Sequence, residues 1–454
     1  MNLRLSRAAF YVTATFWILC HAPGTTSSVR AANGDTQTFS FGWNGNGQTG
    51  VNSVGGSTLI ATPIDTASFA GKSITQVAAG EAHSLLLAED GSVFSLGANA
   101  SGRTGLGTAA GETRIATPID VSNLAGKPIT QVAAGGTHSL LLANDGSVFS
   151  FGSNFSGQTG LGTSVGDSLI PTPVNTQNLA GKSIVQIAAG LSHSLLLADD
   201  GSVFSFGWNA SGQAGLGTTS FSVLVPTPID TQNLAGKKIV QVAAGTFHSV
   251  LFADDGSVFS FGSNSFAQNE IGPGNSGALV ATPINTDNMD GKKIIQIAAG
   301  SNHNLLLADD GSVFGFGWNN LGQTGVGASD EYFIAKPIDS ANLAGKTITE
   351  VAAASFHSLL LADDGSVFSF GSNLRGRNGL GLNEVGGTRI ATPIRTDNLL
   401  GLRVTDIFAG FEHSMLSVVP EPVFLAMIAP SLLVFAGRKR HTRRALRENV
   451  QVND

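Results

Sequence analysis

The stretch Ala188-Ala189-Gly190-Leu191-Ser192-His193-Ser194-Leu195-Leu196-Leu197-Ala198-Asp199-Asp200-Gly201-Ser202-Val203-Phe204-Ser205-Phe206-Gly207 decides how this chain folds. Ser194 to Ala198 is an apolar run of strand length. Asp200-Gly201 reads as a two-residue hairpin turn, since its second position needs φ > 0. Val203 to Phe206 alternates Val and Phe with Ser, which reads as a second strand. Downstream come Phe-Gly-x-Asn and a loop such as Gly157-Gln158-Thr159-Gly160, where clustered glycines imply a tight turn. Thr-Pro-Ile follows, as at Thr117-Pro118-Ile119. Proline cannot donate to a ladder, so that strand belongs at a sheet edge. Leu-Ala-Gly-Lys, as at Leu234 to Lys237, turns into the next copy.

The unit recurs. His83, His138, His193, His248, His303, His357 and His413 are spaced by 55, 55, 55, 55, 54 and 56 residues. Each copy holds three or four short strands and no helix-period stretch. A small sheet every ~55 residues points to propeller blades rather than a helical solenoid. The repeat region starts with half a hairpin, Thr38 to Asn44, and ends with the complementary half, Phe408 to Leu416. The N-terminal strand is therefore expected to complete the last blade, which removes both open edges. The expected fold is all-β, a seven-bladed β-propeller closed by strands from both termini.

Composition agrees. The 454 residues include 58 Gly, roughly 13%, about twice the usual share. Residues 1–31 read as a signal peptide, with Arg4 and Arg7, an apolar Ala8–Cys20 run and cleavage after Ala31. Cys20 is the one cysteine, so the mature chain is expected to hold no disulfide. The propeller is expected over 32–419. In 420–454, Val423 to Ala436 is nearly all apolar and a basic cluster, Arg438 to Arg444, follows. Such an order halts translocation, so a membrane contact through this segment is expected before processing. Without leader and tail, 16 basic side chains face 29 acidic ones, a charge near −13. That balance argues against nucleic acid as a partner, since phosphates need Lys and Arg.

Ala-Gly-x-x-His-Ser-Leu, the Asp-Gly-x-Val-Phe hairpin and Phe-Gly-x-Asn-x-x-Gly-Gln-x-Gly-x-Gly together resemble the repeat of the regulator of chromosome condensation (RCC1) family, from Phe39 to about Val418. The resemblance implies the closed seven-bladed ring. The founding member's action on a nuclear GTPase is not expected here, in an acidic chain with even repeats and no inserted wedge. Val419-Pro420-Glu421-Pro422, the apolar run and the Arg-rich end resemble the PEP-CTERM sorting signal of bacteria. That resemblance implies an exosortase-like processing enzyme acting at Pro420, Glu421 and Pro422, and a destination at the cell surface, outer envelope or extracellular matrix. The long polar end, Ala445 to Asp454, leaves a plain tail anchor open.

The seven histidines occupy equivalent places, so a structural task in every blade is expected. A ring of imidazoles holding a metal in the shaft is the alternative, and a sevenfold ring is wide for ligands that must lie within ~2.0–2.3 Å of one ion. The Asp-Asp-Gly turns lack the alternating oxygens of a calcium loop. No private cluster of His and carboxylates marks one copy, so neither catalysis nor a cofactor is expected. Variation between copies gathers before each His and beside each Phe-Gly-x-Asn. If those loops share one side, Trp43, Phe155, Trp208, Phe247, Phe266, Trp318, Phe356 and Phe411 form an aromatic ring for a partner. The expected function is a non-enzymatic, monomeric, exported propeller that binds a protein or polysaccharide. A secreted inhibitor or adaptor docking one enzyme is the alternative. Deleting Asp35 to Trp43 should unpair the last blade and lower the melting temperature of the whole ring, as read by circular dichroism.

Overall fold

The computed structural model describes residues 36–53, 56–270, 276–327, 332–381 and 386–421. Among them, seven four-stranded antiparallel sheets form a ring of blades. In blade three the strands run Ile184–Ala189, His193–Ala198, Val203–Asn209 and Ser220–Pro228, from the shaft outward. Blades one, two, four, five and six start at Ile74, Ile129, Ile239, Ile294 and Ile348. The second strand is buried at every position, which is why its sequence is a continuous apolar run. In the third strand Phe204 and Phe206 pack in the core, while Ser205 Oγ donates to Ala214 O at 2.5 Å. The Val/Phe–Ser alternation thus serves a core face and a loop anchor. Pro228 closes the outermost strand, opposite Phe204.

The closing blade is ordered Ser57–Pro63, Gln37–Trp43, His413–Pro420, Leu402–Ala409. Phe39 pairs with Leu416 and Gly42 with His413. Each end of the propeller gives two strands rather than the N-terminal end giving one, because the Pro63 strand also precedes blade one. The hairpin turn differs too. Glu89, Asp90 and Gly91 separate Ala88 from Ser92, with Ala88 N–H bonded to Ser92 O at 2.8 Å and Gly91 at φ +83°. It is a three-residue loop with glycine at the left-handed position.

Seven hydrophobic clusters fill the interfaces between blades. One packs Leu140 and Leu142 of blade two against Ile187, Leu196 and Phe206 of blade three. Another joins Leu359 and Leu361 of blade six to Phe39, Phe41 and Leu416 of the closing blade.

The histidines bridge the same interfaces, and all seven are fully buried. Nε2 of His83, His138, His193, His303, His357 and His413 lies 2.9, 2.8, 3.0, 2.8, 2.6 and 2.7 Å from Oγ of Ser139, Ser194, Ser249, Ser358, Ser414 and Ser84. His248 Nε2 meets Asn304 Oδ1 at 2.9 Å. Each bond crosses to the next blade, and the last returns to the first, so the circle closes. The serines also donate, as Ser194 does to Gln158 O at 3.0 Å. They must therefore accept from histidine, and the amide oxygen of Asn304 can only accept. Both facts assign the proton to Nε2. The Nδ1 atoms find no hydrogen-bond partner among the described residues. Burial pushes His138, His193, His303 and His413 down to about 3 and His248 to about 4.

A lowered imidazole pKa stabilises the fold fully above the unfolded value near 6.5 and is lost as pH falls through the folded value. The melting temperature should fall steeply between pH 6.5 and 4. His193→Gln should reduce the protons taken up on unfolding at pH 5 by about one, measured calorimetrically in buffers of different ionisation enthalpy. Ser249→Ala leaves the His193 N–H orphaned and should cost about 1–3 kcal/mol in denaturant unfolding.

Candidate functional site

Chain direction gives the ring two unlike faces. The connections from second to third strand lie on one, with the Leu-Ala-Gly-Lys links. There Lys72–Asp90, Lys127–Asp145, Lys237–Asp255 and Lys292–Asp310 pair at 2.8, 2.9, 2.8 and 2.8 Å, and Lys182–Asp200 and Lys346–Asp364 repeat the contact. The lysine hydrogen bond and Ser92 hold Asp90 at about 2. Residue 37 pairs with Val418, so the chain enters and leaves the propeller on this turn face. Pro420 ends the last strand and Glu421 follows it, exposed. Ala31, Pro422 and the rest of the leader and tail lie outside the described residues. Among the described residues no helix is long and apolar enough to cross a membrane.

The opposite, loop face carries the segments that vary between copies. Trp43, Trp208 and Trp318 N–H donate to Glu412, Ser192 and Asn302 O, each at 2.8 Å. This bond seats the residue after Phe-Gly beside the residue before His. It needs glycine between: a Cβ on Gly207, at φ +101°, would meet Ser192 O at 2.5 Å. The asparagine then fixes the loop, as Asn209 Oδ1 accepts from Ala214 N–H at 2.9 Å and Nδ2 donates to Thr218 O at 2.8 Å. All eight aromatic candidates therefore stand on one face.

They do not form an even ring. Phe155 is alone and 77% exposed. Trp208 packs against Phe221 at a tilt, with centroids 4.8 Å apart. Phe247 is 37% exposed. Phe411 sits at the mouth of the shaft, its N–H bonded to Gly80 O at 3.1 Å. The others join an arc. Phe266 lies 5.6 Å from Trp318, and Trp318 lies 6.1 Å from Phe356, edge to face. The Arg377 guanidinium covers Phe356 at 5.1 Å. Arg377 Nη2 reaches Glu412 Oε1 at 3.6 Å, and Glu412 also pairs with Arg375. Arg375 lies 4.0 Å over Trp43. The arc runs across blades four, five, six and the closing blade. Sequence reading missed Arg377, although its signal was visible as Gly-Arg-Asn-Gly at 376–379, where five of the seven copies have Gln in place of the Arg.

The shaft is an open volume of about 970 Å³ lined by alanines such as Ala188, Ala189, Ala243 and Ala244. Among the described residues no histidine lines it, and none joins a group of three or more that could hold a metal. Each imidazole points into a blade interface instead. Gly162-Thr163-Ser164-Val165-Gly166 spells a nucleophile elbow. It lies in a loop between two strands with no helix after it, so it lacks the context that makes the motif work.

One loop departs from the repeat. Ala267 and Glu270 stand at φ +63° and +56° where most copies have glycine. Glu270 turns inward, and Oε1 accepts from Ala335 N–H of blade five. Burial pushes its carboxyl up to about 8.

The family profile described as the RCC1-like domain matches residues 37–416. The ultraviolet-B receptor UVR8 of Arabidopsis thaliana is 29% identical over 365 residues, 80% of this chain and 79% of that one. The probable E3 ubiquitin-protein ligase HERC6 of Homo sapiens is 33% identical over 310 residues, but the match covers only 29% of its length. Yeast RCC1 (Prp20), in its crystal structure with Kap60, superposes with a TM-score of 0.76 at 21% identity, covering 93% of this chain and 97% of that one. Human WBSCR16 superposes at 0.73 with 22% identity, covering 85% and 100%. With seven closed blades and a match over nearly the whole described region, this chain belongs to the RCC1-like domain family.

Proposed function

We propose that this chain is an exported, non-enzymatic propeller that holds a protein partner on its loop face. The observation that carries the reading is the arc from Phe266 to Trp43. Aromatic and Arg side chains dominate the energetics of protein interfaces, and here they join over four blades. The described ends of the propeller, at residue 37 and Pro420, lie on the turn face, opposite the arc. Prp20p of Saccharomyces cerevisiae, a structural neighbour, binds Gsp1p and histones, a precedent for protein partners in the family.

Export rests on sequence. Residues 1–31 are the signal, cut after Ala31, and 420–454 direct the protein to the cell surface, outer envelope or matrix. An exosortase-like enzyme acts at Pro420-Glu421-Pro422. Polysaccharide is the competing ligand, since sugar rings also stack on aromatic faces.

Pull-down from the native envelope fraction, run beside a glycan array, separates the two ligands. The doubly substituted Trp318→Ala/Arg375→Ala protein should bind its partner at least about 30-fold more weakly, as a truncated hot spot costs 2 kcal/mol or more. Trp208→Ala, outside the arc, should bind within about threefold of the parent. Unchanged affinity in the double variant, with its melting curve intact, would remove the arc from the interface. A glycan hit without any protein partner would transfer the proposal to polysaccharide.

A further inference from the structure

Just past its β-bulge, each innermost strand extends a side chain to the backbone of the next blade. Gln76, Gln131, Gln186, Gln241 and Gln296 accept through Oε1 from the N–H of Val132, Ile187, Val242, Ile297 and Val351, at 2.9, 2.9, 3.0, 3.1 and 3.0 Å. Gln186, Gln241 and Gln296 also donate through Nε2 to the carbonyl of the same partner, at 2.8, 3.2 and 3.2 Å. An amide makes both bonds at any pH.

The sixth position is Glu350, whose Oε2 accepts from Ile407 N–H at 3.4 Å. Only a protonated carboxyl can return a bond to a carbonyl. The seventh is Asp406, one methylene shorter, which takes its hydrogen bond from Thr405 Oγ1 at 2.8 Å. Both seams of the closing blade's innermost strand, Leu402–Ala409, thus carry an acid where the five other seams carry an amide. We propose that Leu402–Ala409 is a pH-sensitive latch, closed while Glu350 keeps its proton and loosened when the proton leaves.

Several charges and dipoles bear on Glu350. The strand of the closing blade brings Asp406, and blade five brings the neutral amide of Gln296. Glu350 is half-buried on the wall of the shaft, and that partial burial, then the Asp406 charge, raises its carboxyl above the ordinary carboxylate range. Burial raises Asp406 to about 6. A raised carboxyl pKa stabilises the fold below the unfolded value and the benefit is lost as pH rises through the folded one. Above about pH 7.5 the histidine circle is almost wholly neutral folded and unfolded, and so drops out. Glu270 still titrates there, but in a loop of blade four.

Hydrogen exchange of the full chain, read on residues 402–409 and corrected for the intrinsic rate, tests the latch between about pH 7.5 and 9. Opening should rise by up to about tenfold per pH unit while only the opened state has lost the Glu350 proton, and level off once the closed state loses it too, while 184–189 holds steady. Glu350→Gln, which installs the side chain of the other seams, should abolish the rise. Asp406→Asn should make the rise level off at lower pH, because closed-state Glu350 loses a negative neighbour. Glu270→Gln should leave it in place. Protection at 402–409 that ignores pH, or a Glu350→Gln protein with the parental response, would overturn the proposal.

Discussion

The hydrogen bond from one blade's histidine to the next blade's serine is the constraint on which the ring depends. It is individually modest, with a net worth of about 1 kcal/mol for a buried bond. Its effect is to fix register. Each bond can form only if neighbouring blades sit at one height and angle, and the seventh, His413 to Ser84, forms only if the six before it have accumulated the right rotation. The Leu and Phe clusters supply most of the burial energy, but apolar packing tolerates sliding. Imidazole and hydroxyl do not. Where serine is replaced, Asn304 keeps both functions, accepting from His248 and donating through Nδ2 to Gln268 O.

That division of labour explains how much the sequence disclosed. Blade number, strand order and closure were legible because they depend on positions repeated seven times, such as His193, Gly207 and Pro228. Trp43 and Trp318 were legible as unusual residues. Their union through Arg375, Glu412 and Arg377 was not, because it joins loops of different copies whose spacing in space no period reports. Glu350 and Asp406 stood in plain view as departures from a repeated glutamine. They went unread because an acid in place of an amide looks like ordinary surface variation until the position is known to lie at a blade interface. The hairpin was misread by one residue, since Asp-Gly serves both two-residue and three-residue loops.

Symmetry and its breaking thus occupy different layers. The second strands and their histidines are nearly uniform around the ring. The loop face is lopsided, with the aromatic–arginine arc over four blades and the isolated Phe155 elsewhere. The innermost strands are uniform for five blades and break where the two chain ends meet. The seven units thus agree at the positions that build the ring and differ on the loop face and at the two seams of the closing blade's innermost strand.

The strand His413–Pro420 has a mechanical consequence. It is hydrogen-bonded on both flanks, to Gln37–Trp43 and to Leu402–Ala409, and antiparallel bonds lie perpendicular to the strand axis. Tension entering at Glu421 pulls along that axis and loads two ladders together in shear, rather than peeling bonds one at a time. Traction on the carboxyl end therefore meets the stiffest direction of the blade, whereas traction separating residue 37 from Val418 meets the weakest, because it opens a single ladder from its end.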